Sequence, residues 1–144
     1  MKIVICASIQ FTPQIKDAAE LLSSLGHEVT IPDGAERILK NEFSMSEFMQ
    51  KKKQGEGYKS KMKHDVIRYY FKRIQECDVI LVLNLTKNKI KNYIGGNTFL
   101  EMGFAHVLDK KIFVYNPLPD MHYIDEMITF EPVIINGDLK KIEQ

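Results

Sequence analysis

The chain has 144 residues, of which 44% are hydrophobic, and its 20 Lys and Arg residues nearly balance its 19 Asp and Glu residues. This length suits one domain with a buried core, and we assign residues 1–144 to a single domain. The near-zero net charge gives no broad attraction to nucleic acid or to a membrane surface. No apolar run approaches transmembrane length, and the N-terminus lacks the apolar core of a signal peptide, so we expect a cytoplasmic protein.

The first 32 residues predict a strand, a helix and a second strand. Residues 2–8 are rich in β-branched side chains, as is typical of a strand buried on both faces. Thr12 and Pro13 fit the N-cap and first position of a helix, and Gly26 fits its end. Residues 27–32 form the second strand. The short connections indicate a parallel sheet with a right-handed crossover.

Residues 33–63 predict a helical region followed by an exposed loop. Helical spacing runs through Ile38, Phe43 and Met49. Residues 51–63 then contain five lysines before Lys63, two glycines and almost no apolar side chain, which indicates an exposed and mobile loop. The basic charge of this loop is either simply solvated or attracts a phosphate.

The rest of the chain predicts a helix and three further strands. Residues 64–77 form an amphipathic helix with inward positions at Val66, Ile67, Tyr70, Phe71 and Ile74. Residues 78–84 form a central, buried strand. Strands over residues 111–117 and 132–137 follow a further helix and are joined by a loop and a short helix. We therefore predict an α/β fold, a doubly wound, flavodoxin/Rossmann-like sandwich of about five parallel strands.

Ligands of open parallel sheets bind outside the carboxyl ends of the strands, near the point where the strand order reverses. Three predicted loops lie at that edge, over residues 8–12, 84–98 and 116–123. The helix after the second loop is nearly all apolar, yet it carries Glu101 in its first turns. The sequence therefore places one acid at the mouth of the sheet.

Other interpretations of these residues remain open. Thr98 and Glu101 fit a capping box, which explains the acid as well as catalysis does. Gly95 and Gly96 form either a tight turn or a close approach of the backbone to a ligand, and they match no dinucleotide-binding or P-loop pattern. Asp78, at the start of the central strand, is either a turn residue or a second acid of the site.

Nothing in the sequence indicates a metal or another cofactor. The four histidines share no spacing, and no cysteine–histidine cluster is present. Cys6 and Cys77 lie in or beside apolar stretches with no evident cation or helix N-terminus. We therefore interpret both as buried, reduced thiols without a catalytic role.

Two segments resemble the nucleoside 2-deoxyribosyltransferase superfamily, which includes the 2′-deoxynucleoside 5′-monophosphate N-glycosidases. They are residues 77–84, "CDVILVLN", and residues 95–116, "GGNTFLEMGFAHVLDKKIFVYN". The superfamily pattern G-T-x-x-E-x-G-x-A corresponds to residues 97–105, with Asn97 in the place of its first glycine. The resemblance covers roughly residues 65–117 and, more weakly, the N-terminal strand and helix.

The resemblance implies that Glu101 is a nucleophile that attacks the anomeric carbon, expels the base and holds a glycosyl ester. Asp78 would orient or protonate the base side. The substrate-binding residues would be Ser8, Gly95, Gly96, Asn97 and Thr98. The resemblance implies a nucleoside or nucleotide substrate and a homodimer or larger homo-oligomer whose sites are completed by a neighbouring subunit.

Two departures from the superfamily pattern keep further hypotheses open. Gly96 and Asn97 stand where many members have an acidic residue before the Gly-Thr pair, and the first loop lacks the usual Gly-Pro. The first alternative is a non-catalytic nucleotide-binding or sensing module, favoured by Asn97 and opposed by the retained Glu101 and Asp78. The second is a flavodoxin-type redox protein, disfavoured because the first loop lacks a run of Ser, Thr and Gly.

Overall fold

The computed structural model describes residues 1–143, which contain one five-stranded parallel sheet flanked by helices. The strands are β1 Lys2–Cys6, β2 Glu28–Thr30, β3 Val79–Val82, β4 Lys111–Val114 and β5 Val133–Ile134. Their order in the sheet is β2-β1-β3-β4-β5. This order confirms the predicted doubly wound α/β fold, and it reverses direction between β1 and β3.

Alternation along the strands creates a core on each face of the sheet. In β1, Ile3 and Ile5 pack into one core, while Val4 and Cys6 pack into the other. All four residues of β3 are buried, and β3 pairs with β1 on one side and β4 on the other. These two pairings confirm the prediction that β3 is a central strand. All its residues are apolar because both faces of the strand are covered.

Seven α-helices connect and cover these strands among the described residues. They are α1 Thr12–Ser24, α2 Asp33–Leu39, α3 Met45–Lys53, α4 Gly57–Lys63, α5 Val66–Glu76, α6 Gly96–Val107 and α7 Ile124–Thr129. Among residues 1–143, no helix combines the length and the apolar character needed to cross a bilayer.

The start of α1 differs from the prediction. A short 3-10 turn precedes the helix, and Phe11 occupies the N-cap position. Thr12 lies inside the helix, where its hydroxyl donates to the Ile9 carbonyl at 2.6 Å. The predicted Thr12 cap is therefore wrong by one residue. Gly26, with φ of +89°, ends the helix as predicted.

The prediction of a loop over residues 51–63 is wrong. This segment contains the end of α3 and the whole of α4, separated by a turn in which Gly55 has φ of +73°. Ser44 and Glu47 form a capping box that starts α3. Lysine is a good helix former and complements the dipole at a helix C-terminus, so the lysines favour these helices without any apolar stripe.

The inward face of α5 is narrower than predicted. Tyr70 and Ile74 are buried, but Ile67 is 50% exposed and Phe71 is 36% exposed. The ring of Phe71 turns sideways toward α6 and packs edge-on against Phe104 at 5.3 Å between centroids. The two helices therefore contact each other side by side. The spacing of apolar residues along α5 does not distinguish a residue that contacts a neighbouring helix from one that packs against the sheet.

Candidate functional site

A cleft of about 300 Å³ opens at the carboxyl ends of β1 and β3, where the strand order reverses. The loops after these two strands, the start of α2 and residues of α3, α4, α5 and α6 form its walls. This is the place where doubly wound folds bind ligands. The sequence predicted three loops at this end of the sheet, and two of them, over residues 8–12 and 84–98, contribute to the cleft.

Glu101 lies in the wall of this cleft and is only 9% exposed. It is the sixth residue of α6, which begins at Gly96. Gly95 is the N-cap and makes no side-chain cap hydrogen bond, while Thr98 lies inside the first turn. The capping-box interpretation is therefore wrong, and it does not explain why an acid is buried at this position.

The environment of Glu101 favours its protonated form. Burial raises its pKa to about 8, against a hydrogen bond from the Cys6 thiol and the charge of Lys61, both of which lower it. This shift moves the titration of the Glu101 carboxyl group from the acid range into the range around neutral pH. A raised pKa at a carboxyl group in a cleft is a common mark of a functional site.

Cys6 and Tyr70 are neighbours of Glu101 that the sequence analysis did not assign to the site. Cys6 is the last residue of β1 and is fully buried, and burial followed by the charge of Glu101 raises the pKa of its thiol. Tyr70 of α5 lines the cleft, and the same two causes raise the pKa of its phenol. Both groups thus stay protonated and surround the carboxyl group. The alternation along β1, which puts Cys6 on the face covered by α6, was the available signal.

All five predicted substrate-binding residues line the cleft: Ser8, Gly95, Gly96, Asn97 and Thr98. A side chain at Gly95 would place its Cβ 3.0 Å from the ring of Tyr93, so Tyr93 would have to shift to accommodate it. Gly96 has no neighbour of that kind within 4 Å. The glycine pair therefore combines a close packing contact with an open backbone at the start of α6.

Asp78 is not brought into the cleft. It is exposed at the amino end of β3, at the opposite edge of the sheet from Glu101. Its Oδ2 accepts a hydrogen bond from the Lys2 amide at 2.7 Å, and its own amide donates to the Lys2 carbonyl at 2.9 Å. These bonds fit the turn-residue interpretation, so we correct the assignment of Asp78 to the catalytic residues.

The loop over residues 116–123 also lies outside the cleft. The buried side chain of Asn84, just after β3, donates to the carbonyls of Asn116 and Pro117, both at 3.1 Å. The Asn116 amide donates back to Asn84 Oδ1 at 2.8 Å. This network holds the start of the loop against the end of β3, and none of residues 116–123 lines the cleft.

The cleft also has a basic lining. Arg37, Lys52, Lys61 and Lys87 line it. Lys87 is only 7% exposed, donates to Ser8 Oγ at 2.8 Å and lies 5.0 Å from the centroid of the Tyr93 ring. Burial, and then the neighbouring Lys52 and Lys61, lower the pKa of Lys87 to about 8. The cleft thus combines a buried carboxyl group with several cations.

In the part of the chain that the structure describes, no group of three or more His, Cys, Asp or Glu side chains is arranged to hold a metal ion. Cys77, the second cysteine, is buried away from the cleft, and its thiol donates to the Ile74 carbonyl at 3.2 Å. The polar side chains that line the cleft are carboxyl, amine, guanidinium, amide, hydroxyl and phenol groups, and the Cys6 thiol lies beside Glu101.

Comparison with known proteins identifies a similar fold. No protein-family profile and no curated protein sequence matches the chain. Among solved structures, the CMP N-glycosidase of Clostridium botulinum matches with a TM-score of 0.53, over 97% of this chain and 93% of that one. The two sequences are 16% identical. The likeness shows that this chain has the fold of a nucleotide N-glycosidase.

Proposed function

We propose that this protein cleaves or transfers at the N-glycosidic bond of a nucleoside, deoxynucleoside or nucleotide, with Glu101 as the nucleophile. The observation that carries the proposal is the burial of the Glu101 carboxyl group in a cleft at the reversal of the strand order, where the other acid of the lining, Asp33, is only partly buried. The fold shared with a CMP N-glycosidase and the resemblance of residues 95–116 to the deoxyribosyltransferase superfamily support it.

In the proposed reaction, Glu101 first gives up its proton to solvent water and then attacks the anomeric carbon. The C–O bond of a glycosyl ester forms as the C–N bond breaks, and the base leaves with the electron pair of that bond and takes up a proton from solvent water. Water or a second base then attacks the same carbon and releases Glu101. Cys6 and Tyr70, which lie beside the carboxyl group, position it for the attack.

The test is release of free base from a panel of nucleosides and nucleoside monophosphates, followed by chromatography. The wild-type protein should release base from at least one compound, and Glu101→Gln should release none at the same protein concentration. Equal release by the two proteins would contradict the role of Glu101. Adding a second base to the assay distinguishes transfer, which gives a new nucleoside, from hydrolysis, which gives the free sugar.

A non-catalytic nucleotide-binding module is the second candidate. The burial of Glu101, which raises its pKa to about 8, favours it, because a protonated carboxyl group is no nucleophile. Calorimetric binding of a nucleotide without release of base over many hours would support this alternative. The homodimer or larger assembly implied by the resemblance stays a prediction, which light scattering of the purified protein tests.

A further inference from the structure

Three lysines from three separate elements meet at one side of the cleft. Lys52 comes from α3, Lys61 from α4 and Lys87 from the loop after β3. Lys52 and Lys61 thus belong to the two helices that cover this side of the cleft, while Lys87 reaches it from the sheet. Convergence of like charges from elements so distant in sequence is unfavourable unless an anion joins them.

None of the three lysines has an anionic partner close by. Within residues 1–143, no carboxylate lies within 4.0 Å of their amino groups, whereas Lys40 and Lys59 each pair with a glutamate at about 3 Å. The repulsion is visible in the pKa values. Lys52 contributes, after burial, to lowering the pKa of Lys61 and of Lys87. The cluster therefore has no close ion pair within the described chain, although the carboxyl groups of Asp33, which pairs with Arg37, and of Glu101 also line the cleft.

The surroundings of Lys87 provide further hydrogen-bond donors for an anion. Its amino group is fixed against Ser8 Oγ and the Tyr93 ring, so its position is defined before a ligand arrives. Gly96 and Asn97 begin the twelve-residue helix α6 at the same cleft, with free backbone N–H groups and the positive end of the helix dipole. These groups suit the oxygens of a phosphate better than a planar base.

The position and the size of the cleft indicate which kind of ligand carries the anionic group. Lys61 is near enough to Glu101 for its charge to lower the pKa of that carboxyl group. The lysine cluster and the proposed nucleophile are therefore parts of one site. A volume of about 300 Å³ lies at the lower end of small-molecule pockets, which suits one mononucleotide rather than two linked nucleotides.

We propose that Lys52, Lys61 and Lys87, with Ser8, bind the phosphate of a nucleoside 5′-monophosphate, so that the monophosphate and not the nucleoside is the substrate. This inference rests on the proposed function for the identity of the reaction. In this proposal, helices α3 and α4 contribute to substrate binding, because they carry two of the three lysines, Lys52 and Lys61. It also makes the selection between nucleoside and nucleotide a property of these lysines.

The kinetic test compares kcat/KM for a nucleoside and its 5′-monophosphate in the wild type and in Lys52→Met, Lys61→Met and Lys87→Met. Lys53→Met is the matched control, since Lys53 is an exposed lysine of α3 that does not line the cleft. Each cleft variant should lose about 10- to 100-fold in kcat/KM for the monophosphate, mainly through KM, because a charge-assisted hydrogen bond is lost. The nucleoside should be affected by less than about threefold in Lys52→Met and Lys87→Met. Lys61→Met also removes a charge that lowers the pKa of Glu101, which slows both substrates, so its selective effect is the change in the ratio of the two kcat/KM values. Lys53→Met should match the wild type for both substrates.

Two kinetic results would overturn the inference. One is equal kcat/KM of the wild type for nucleoside and monophosphate, and the other is an equal loss for both substrates in the cleft variants. Lys52 and Lys61 are exposed, so their variants should keep the wild-type melting temperature and remain usable if Lys87→Met is destabilised.

A binding experiment separates this inference from the proposed reaction. Calorimetry with ribose 5-phosphate and with ribose requires no turnover. Binding of ribose 5-phosphate but not ribose, weakened at least about tenfold in Lys52→Met and Lys61→Met, would support the subsite even if no base were ever released. Unchanged binding of ribose 5-phosphate in these variants would refute the subsite even if base release were observed.

Discussion

Glu101 and Asp78 lie at opposite ends of the strands of the same sheet, Glu101 at the carboxyl ends and Asp78 at the amino end of β3, and their surroundings differ as well. Asp78 is exposed and accepts a backbone hydrogen bond that suits a charged carboxylate. Glu101 is buried among Cys6 and Tyr70, and burial raises its pKa to about 8. The exposed carboxylate of Asp78, at the amino ends of the strands, stabilises a turn. The buried carboxyl group of Glu101, at the carboxyl ends, lowers the stability of the fold and is available to a ligand.

The largest expected effect is that of Glu101→Gln on base release. The amide keeps the shape of the side chain but is not a nucleophile, so kcat should fall at least about 1,000-fold. The melting temperature at pH 8 or above should stay the same or rise, because a buried charge is removed. If Glu101→Gln released base with the wild-type kcat, Glu101 would be no more important for catalysis than Asp78, and the proposed role of Glu101 would be contradicted.

The second effect is on activity as a function of pH. If Glu101 must be ionised, kcat/KM for a nucleoside substrate should rise with pH and level off above about pH 8, the pKa of the free site. For a monophosphate, kcat/KM should fall again as Lys87, with its pKa lowered to about 8, loses its proton. A profile that is flat between pH 6 and 9 would contradict the assignment of Glu101.

Stability should depend on pH in the opposite sense. The pKa of Glu101 is higher in the folded chain than its usual value of 4.5, so its contribution is fully present below about pH 4.5 and is lost as the pH rises to about 8. Relative to Glu101→Gln, the free energy of unfolding of the wild type should drop by up to about 5 kcal/mol across this range. Urea unfolding of both proteins at pH 5 and pH 8.5 measures the difference. A constant difference would mean that Glu101 is ionised throughout.

A smaller effect should follow from changing Cys6. The Cys6 thiol lowers the pKa of Glu101 through a hydrogen bond, so Cys6→Ala should move the rising limb of the pH profile to higher pH. Cys6→Ser, which keeps a donor and strengthens it, should move the limb to lower pH. Shifts of the same sign in both variants would show that cavity effects, and not the hydrogen bond, determine the pKa.

The smallest effect on activity should be that of Asp78→Asn. The structure places Asp78 outside the cleft, so kcat/KM should change by less than about twofold, while the free energy of unfolding should fall by about 1 kcal/mol as the bond to the Lys2 amide weakens. The resemblance to the superfamily instead favours a larger effect of Asp78→Asn on turnover than on the free energy of unfolding. A loss of activity without a loss of stability would return Asp78 to the site.

The fold and the place of the site could be predicted because they follow from the chain itself. Continuous apolar runs identify buried parallel strands, and the loop after each strand must lie at the carboxyl edge. By the same geometry Asp78, as the first residue before β3, had to lie at the amino edge. The resemblance to the superfamily implies a site role for Asp78, and its position at the amino end of β3 does not fit that role.

The remaining features depend on tertiary structure or on weak local signals. Helices α3 and α4 have no buried apolar stripe, so their lysine-rich sequence is easily taken for a loop. The contact between Cys6 and Glu101 joins residues 95 positions apart, and the convergence of Lys52, Lys61 and Lys87 joins three elements. Pairings of this kind follow from the packing of the finished sheet and not from spacing along the chain.

The most direct test of Glu101 as a nucleophile is to trap the glycosyl ester. A 2′-fluoro-2′-deoxynucleoside, or its 5′-monophosphate, should slow both steps, since fluorine destabilises positive charge at the anomeric carbon. Intact-protein mass spectrometry should then show one added fluorosugar per chain, and peptide mapping should place it on Glu101. Free-base release from the analogue is measured in parallel. Base release without an adduct at any time, or an adduct on another residue, would contradict the account.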